Sequence, residues 1–105
     1  ALPICYPART EKNVQDSDGT LIISHGKLTG GSKLTQKLAK KHHRPCQHID
    51  LNATPDYNAV FLIRQWMYEN DIEILNVAGP RASGDPEIYK KVFDILKKVS
   101  LLLSM

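Results

Sequence analysis

Short β-type runs alternate with longer amphipathic runs along this chain, and that alternation limits the fold more than any other feature. Thr20-Leu-Ile-Ile-Ser24 is apolar and β-rich, and it follows the turn sequence Asp16-Ser-Asp-Gly19. Gly30-Gly31-Ser32 then precedes Leu34, Leu38 and Ala39, with Lys33, Lys37, Lys40 and Lys41 on other faces. This spacing predicts a helix that Ser32 caps and that ends before Pro45. Cys46 to Leu51 reads as a second strand. Thr54-Pro-Asp56 opens a second helix with Val60, Ile63, Trp66 and Met67 as its apolar face, stopping near Asn70-Asp71. Ile72 to Val77 is the third strand, and 79–86 form a loop. Pro86 suits the first turn of a last helix, with Asp85 or Ser83 as its cap and Ile88, Val92, Ile95 and Leu96 as its buried stripe. Ala8 to Gln15 can form one more short helix.

The order βαβαβα predicts an α/β fold: a Rossmann-like three-layer sandwich with a parallel sheet, helices on both faces and right-handed crossovers. A chain of 105 residues fits a single domain. At this size roughly two-thirds of the unfolded surface is buried, so one core is attainable and losing a strand would be costly. With 42% hydrophobic and 24% charged residues, the composition is that of an ordinary globular protein. A net charge of +3 demands neither nucleic acid nor membrane, and leaves only a mild preference for anions. Cys5 and Cys46 have no metal-type spacing, which suggests a reduced, cytoplasmic protein with an inert buried Cys46. No signal-peptide pattern opens the chain, and Val99 to Met105 is too short to span a bilayer.

In open parallel sheets, ligands bind beyond the carboxyl ends of the strands, which directs attention to the loops 24–32 and 78–85. In the first loop, Gly30 and Gly31 let the backbone approach a ligand closely at a helix N-terminus, where unpaired N–H groups and the helix dipole favour an anion. Thr29 and Ser32 add hydroxyl donors, and Thr35 lies one turn further along. The same residues also make an ordinary turn with a capping serine, and both readings stay open at this point. The loop is not a P-loop, because Gly31-Ser32-Lys33 transposes the lysine and hydroxyl of the Walker pattern, and Gly-x-Gly-x-x-Gly is also absent. In the second loop, Asn76 ends an otherwise apolar strand, where its amide can bind a ligand or tie two segments together. Gly79-Pro80 makes a tight exit, and Arg81 offers a planar fork for an oxyanion, with pairing to Asp85 or Glu87 as the alternative.

Other candidates are weaker. Asp16 and Asp18 could bind a metal or a ribose, but Asp-Ser-Asp-Gly is a good turn sequence and is taken as one. The basic residues from Lys33 to Arg44, with His42 and His43, lack interleaved aromatics and read as a solvated helix face rather than an RNA patch. His25 could act as acid or base, but no partner carboxylate is evident.

Arg9-Thr-Glu-x-Asn13, Asp16-Ser-Asp-Gly-Thr20, Leu28-Thr-Gly-Gly-Ser32 and Leu75-Asn-Val-Ala-Gly-Pro-Arg81 occur in this order. Together they resemble the bacterial family labelled putative molybdenum carrier, the circularly permuted YpsA-like branch of the SLOG superfamily, from about Tyr6 to Val99. The resemblance implies a Rossmann-like fold that binds a nucleotide or nucleotide-derived ligand. Thr29, Gly30, Gly31, Ser32, Thr35, Asn76, Gly79, Pro80, Arg81 and Ser83 would surround its phosphate. Molybdate is an alternative ligand, since a tetrahedral oxyanion suits the same N–H cradle. No Cys or His cluster for direct metal ligation stands in the chain. Phosphoribohydrolases elsewhere in the superfamily use a Gly-Gly-x-Gly-Thr turn with a nearby Glu. Here Lys33 and Leu34 replace that glycine region and Gln36 offers no carboxylate, so a binding module is favoured over an enzyme.

Members of the family usually begin with a further strand and a Gly-Gly-Gln-Thr-Gly-type loop that this sequence lacks, and Ala1-Leu-Pro-Ile matches translated adapter DNA. The expectation is an N-terminally truncated domain whose residues 1–5 are extraneous, and whose unpaired strand edges favour homo-oligomers. A genuine start codon directly before Ala1 would contradict it.

Overall fold

A run of six consecutive buried residues, Gly19–Ser24, forms β1. Burial on both faces of one strand is the mark of the centre of a parallel sheet. The computed structural model describes residues 2–28, 30–78 and 86–104, with side chains from residue 9 onward except Pro86. Its elements are α1 (Leu2–Asp16), β1 (Gly19–Ser24), α2 (Gly30–Lys41), β2 (Cys46–Asp50), α3 (Asp56–Glu69), β3 (Leu75–Ala78) and α4 (Pro86–Leu103). The three strands are parallel in the order β2-β1-β3.

Alternation along the strands sorts the core into two layers. Leu21, Ile23 and Ile49 point to one face, where they meet Ala59, Val60, Ile63 and Met67 of α3 and Ile88, Ile95 and Val99 of α4. Each such aliphatic side chain contributes about 1.5–3 kcal/mol by leaving water. Ile22 points to the other face, where Val14 of α1 and Ala39 of α2 are also fully buried. The two helices of that layer are fastened by Glu11, whose Oε2 accepts from Lys41 Nζ at 3.0 Å and lies 2.6 Å from His42 Nε2. The Arg44 guanidinium adds a bond to the Gln15 carbonyl at 2.9 Å. Part of the basic run thus holds α1 in place.

From β1 the chain passes through α2 to β2 on one side, then crosses back through α3 to β3 on the other. This reversal puts α2 and α3 on opposite faces, as right-handed crossovers require. It also makes the gap between the ends of β1 and β3 a topological switch point, the usual place for a ligand in such sheets. The α/β, Rossmann-like reading is therefore correct.

Local expectations shift in four places. The first helix, expected over Ala8–Gln15, runs from Leu2 to Asp16. The third strand starts at Leu75 rather than Ile72, because the Asp18 carboxylate accepts the N–H groups of Glu73 and Ile74 at 2.9 and 2.8 Å. Asp71 is in the left-handed region at φ 50°, and Ile72 turns inward to pack beneath β1. Ser32 lies within the first turn of α2 and not at its cap, since the helix already begins at Gly30. The apolar segment from Val99, assigned no element from the sequence, continues α4 to Leu103, with Val99 in the core. Among the described residues, no helix is long and apolar enough to cross a membrane.

Candidate functional site

The carboxyl ends of β1 and β2 carry polar side chains on one face of the sheet. Ser24 and Asp50 are paired in register, and His48 stands opposite Ile22, two residues back. The Ser24 hydroxyl donates to the Gly26 carbonyl at 2.7 Å and lies 2.7 Å from His48 Nε2. With its single proton committed to Gly26, Ser24 accepts from an Nε2–H of His48. Asp50 Oδ1 takes the N–H of Gly26 at 2.7 Å and that of Asn52 at 2.9 Å. Gly26 is thereby gripped through both its carbonyl and its N–H, at a φ of 95° that favours glycine.

These bonds set the charge of the site. The Asp50 carboxyl is held below its ordinary range first by the Gly26 N–H and then by the Asn52 N–H; partial burial opposes this, and the charges of His48 and His25 assist. Asp50 is thus the carboxylate neighbour for His25 that sequence alone does not reveal.

The loop from Gly26 leads to the start of α2. Gly30 has φ 52°, and a Cβ built there meets nothing within 4 Å among the described residues. Gly31 is exposed and Ser32 half-buried. The first-turn N–H groups have no partners within the helix itself, which starts beyond the carboxyl end of β1. Thr35 is buried, and its hydroxyl donates to the Gly31 carbonyl at 2.8 Å, so it stiffens the first turn from inside.

Asn76 sits lower. It is paired in register with Thr20, and its Nδ2 donates to Thr20 Oγ1 at 3.2 Å. Of its two expected roles, this geometry is that of the tie, made across the sheet and well below the carboxyl edge. Asp18 anchors the opposite, amino edge, which separates it from the switch point. Thr29, Gly79, Pro80, Arg81, Ser83 and the proposed cap Asp85 lie outside the described residues. Among the described residues, no group of three or more His, Cys, Asp or Glu side chains is placed to hold a metal ion. Cys46 is half-buried, and its surroundings raise the thiol pKa by desolvation.

His48, Asp50 and Asn52 are absent from the sequence-based candidates. The signal was present: a buried parallel strand should be apolar throughout, yet Cys46-Gln-His-Ile-Asp50 places His48 and Asp50 on the face opposite Ile49.

Comparison with known proteins agrees with this architecture. A solved structure described as a putative molybdenum carrier protein, from Syntrophus aciditrophicus SB, matches with a TM-score of 0.87 at 53% identity. The match covers 90% of this chain and 60% of that one, so the chain spans under two-thirds of the length of its neighbour. No curated protein matches. Residues 4–100 match the family described as circularly permutated YpsA SLOG. The chain therefore belongs to the circularly permutated YpsA SLOG family.

Proposed function

We propose that this chain binds a nucleotide or nucleotide-derived ligand, with a phosphate seated on the N–H groups of Gly30, Gly31 and Ser32. The observation that carries the reading is the position of the α2 N-terminus. It follows the carboxyl end of the central strand β1, and Gly30 there has a positive φ with nothing among the described residues within 4 Å of an added Cβ. Helix N-termini stabilise anions through unpaired N–H groups and the helix dipole. In this reading Thr29 and Ser32 supply hydroxyls, Thr35 braces the turn, and Gly79, Pro80, Arg81 and Ser83 approach from the loop after β3. Asn76 acts from below by tying β3 to β1. The reading is one of binding rather than catalysis.

Molybdate is the second reading. It is favoured by the name of the solved neighbour and by the fit of any tetrahedral oxyanion to the same N–H groups.

Calorimetry of the protein against nucleoside monophosphates and against molybdate tests both. Gly31→Val, which places a branched side chain over the turn, should abolish binding of whichever ligand is taken while leaving α2 formed by circular dichroism. Unchanged affinity in that variant would remove the turn from the site. Release of a free base from a nucleotide would instead establish an enzyme.

A further inference from the structure

The two helical layers present different surfaces to solvent. On α2, Lys33, Lys37 and Lys40 are exposed and no large apolar side chain is. Eight of the ten exposed large apolar side chains among the described residues lie on α3 or α4 instead. Single exposed apolar residues are ordinary, but a cluster of them marks a surface that meets a partner.

On α3 the cluster is ordered. Tyr57, Phe61, Arg64 and Tyr68 follow at intervals of four, three and four, so they form one stripe along the helix. This stripe is separate from the core face of Ala59, Val60, Ile63 and Met67. Tyr57, Phe61 and Tyr68 are 68%, 60% and 81% exposed. Phe61, Arg64 and Tyr68 also line a groove of about 430 Å³, together with Leu102 and Leu103 at the end of α4.

The order of the stripe singles out the occupant. Laid antiparallel against itself about a two-fold axis, it pairs Tyr57 with the partner's Tyr68 and Phe61 with the partner's Arg64. Symmetry makes each contact occur twice. The first is an aromatic pair and the second a guanidinium on a ring face, both favourable, and these residue types are enriched in interfaces. Asn58 and Gln65, on the flank of the stripe away from the core, bring no charge to oppose the pairing. A fully buried aromatic removes about 150–250 Å² from water, so the stripe and groove walls offer roughly 700 Å² per protomer, close to the ~800 Å² of a stable interface. We propose that α3 and the end of α4 form a two-fold homodimer interface, in which a second copy of this chain lays its own α3 stripe antiparallel along the groove. This surface is distinct from the strand edges expected from sequence to drive association.

Sedimentation equilibrium of the full chain, in a series reaching high micromolar concentration, should show a monomer–dimer equilibrium. Phe61→Arg sets a second cation against the partner's Arg64 and removes an aromatic contact made twice, which should raise the dimer dissociation constant roughly a hundredfold. Because Phe61 is exposed, circular dichroism and melting of the dilute monomer should not change. Lys37→Glu on α2 should leave the dimer intact. The register is read by mixing Tyr57→Cys with Tyr68→Cys under mild oxidation and mapping the linked peptides. Position 57 of one chain should join position 68 of the other in preference to either self-pair, since like positions lie about 16 Å apart along an antiparallel seam.

A chain that stays monomeric throughout the series overturns the inference. So does a dimer that survives Phe61→Arg, which would place the contact elsewhere, as on the strand edges. Cross-links dominated by self-pairs overturn the two-fold register.

Discussion

The two edges of the sheet use the same device for different ends. At the amino edge, Asp18 accepts two backbone N–H groups from the segment before β3; at the carboxyl edge, Asp50 accepts two from the loops after β1 and β2. In both, the paired N–H bonds are the leading causes of a lowered carboxyl pKa. What surrounds the device differs. A Cβ on Gly19, beside Asp18, would lie 2.5 Å from Ile72 Cδ1 and 3.1 Å from Trp66, so that edge is filled. At the carboxyl edge, a Cβ on Gly30 meets nothing within 4 Å among the described residues. A carboxylate that staples backbone in a filled edge is architecture. At the carboxyl edge the same staple fixes the loop after β1, close in sequence to the glycine turn that opens α2.

Substitution at the two glycines should separate the edges most. Gly19→Val must displace Ile72 and Trp66, and overpacking of that kind costs about 1–3 kcal/mol. Gly30→Ala has space, and meets only the penalty of a left-handed backbone for an L-residue, about 1 kcal/mol. Thermal denaturation should show the larger loss for Gly19→Val. Equal losses would mean that the carboxyl edge is as closely packed as the amino edge.

Next in size is Ser24→Ala, which removes the hydroxyl that joins His48 to the Gly26 carbonyl. A net loss of about 1 kcal/mol is expected by denaturant titration. Faster amide exchange should be confined to the loop after β1, and an effect spread to Gly19 or Ile74 would contradict a local role.

Acid should weaken both staples. Asp18 and Asp50 titrate below the ordinary aspartate value of 3.8 in the folded chain. Their contribution is therefore fully present above that value and is lost as pH falls through the lowered folded values. Melting temperature should fall below about pH 4, and Asp18→Asn should flatten that fall. A melting temperature that rises on acidification would reverse the assigned sign. The smallest effect belongs to Glu11→Gln. Its partners Lys41 and His42 sit at a partly exposed seam between α1 and α2, where ion pairs contribute little. A large loss there would mean that α1 is held chiefly by charge.

The fold was legible because alternation and helical spacing are local properties. Ile22 and Ile23 in β1, Ile63 and Met67 in α3, and Ile88 and Ile95 in α4 are buried where the pattern puts them. Ile72 was misread as strand because its apolar character is equally suited to packing under Gly19, and Asp18, which lifts that segment out of the sheet, is distant in sequence. The glycine turn was legible for the same reason as the fold: it sits between a strand and a helix. Asp50 was not, since its value depends on parallel pairing with Ser24, a contact between strands that no spacing reports.

The most direct test of the account is a map of amide chemical shifts during titration with a ribonucleoside monophosphate. The account predicts changes concentrated at Gly26, Gly30, Gly31, Ser32 and Asn52, with Gly19, Glu73 and Ile74 unmoved. Changes centred on the amino edge, or none at the first turn of α2, would contradict it.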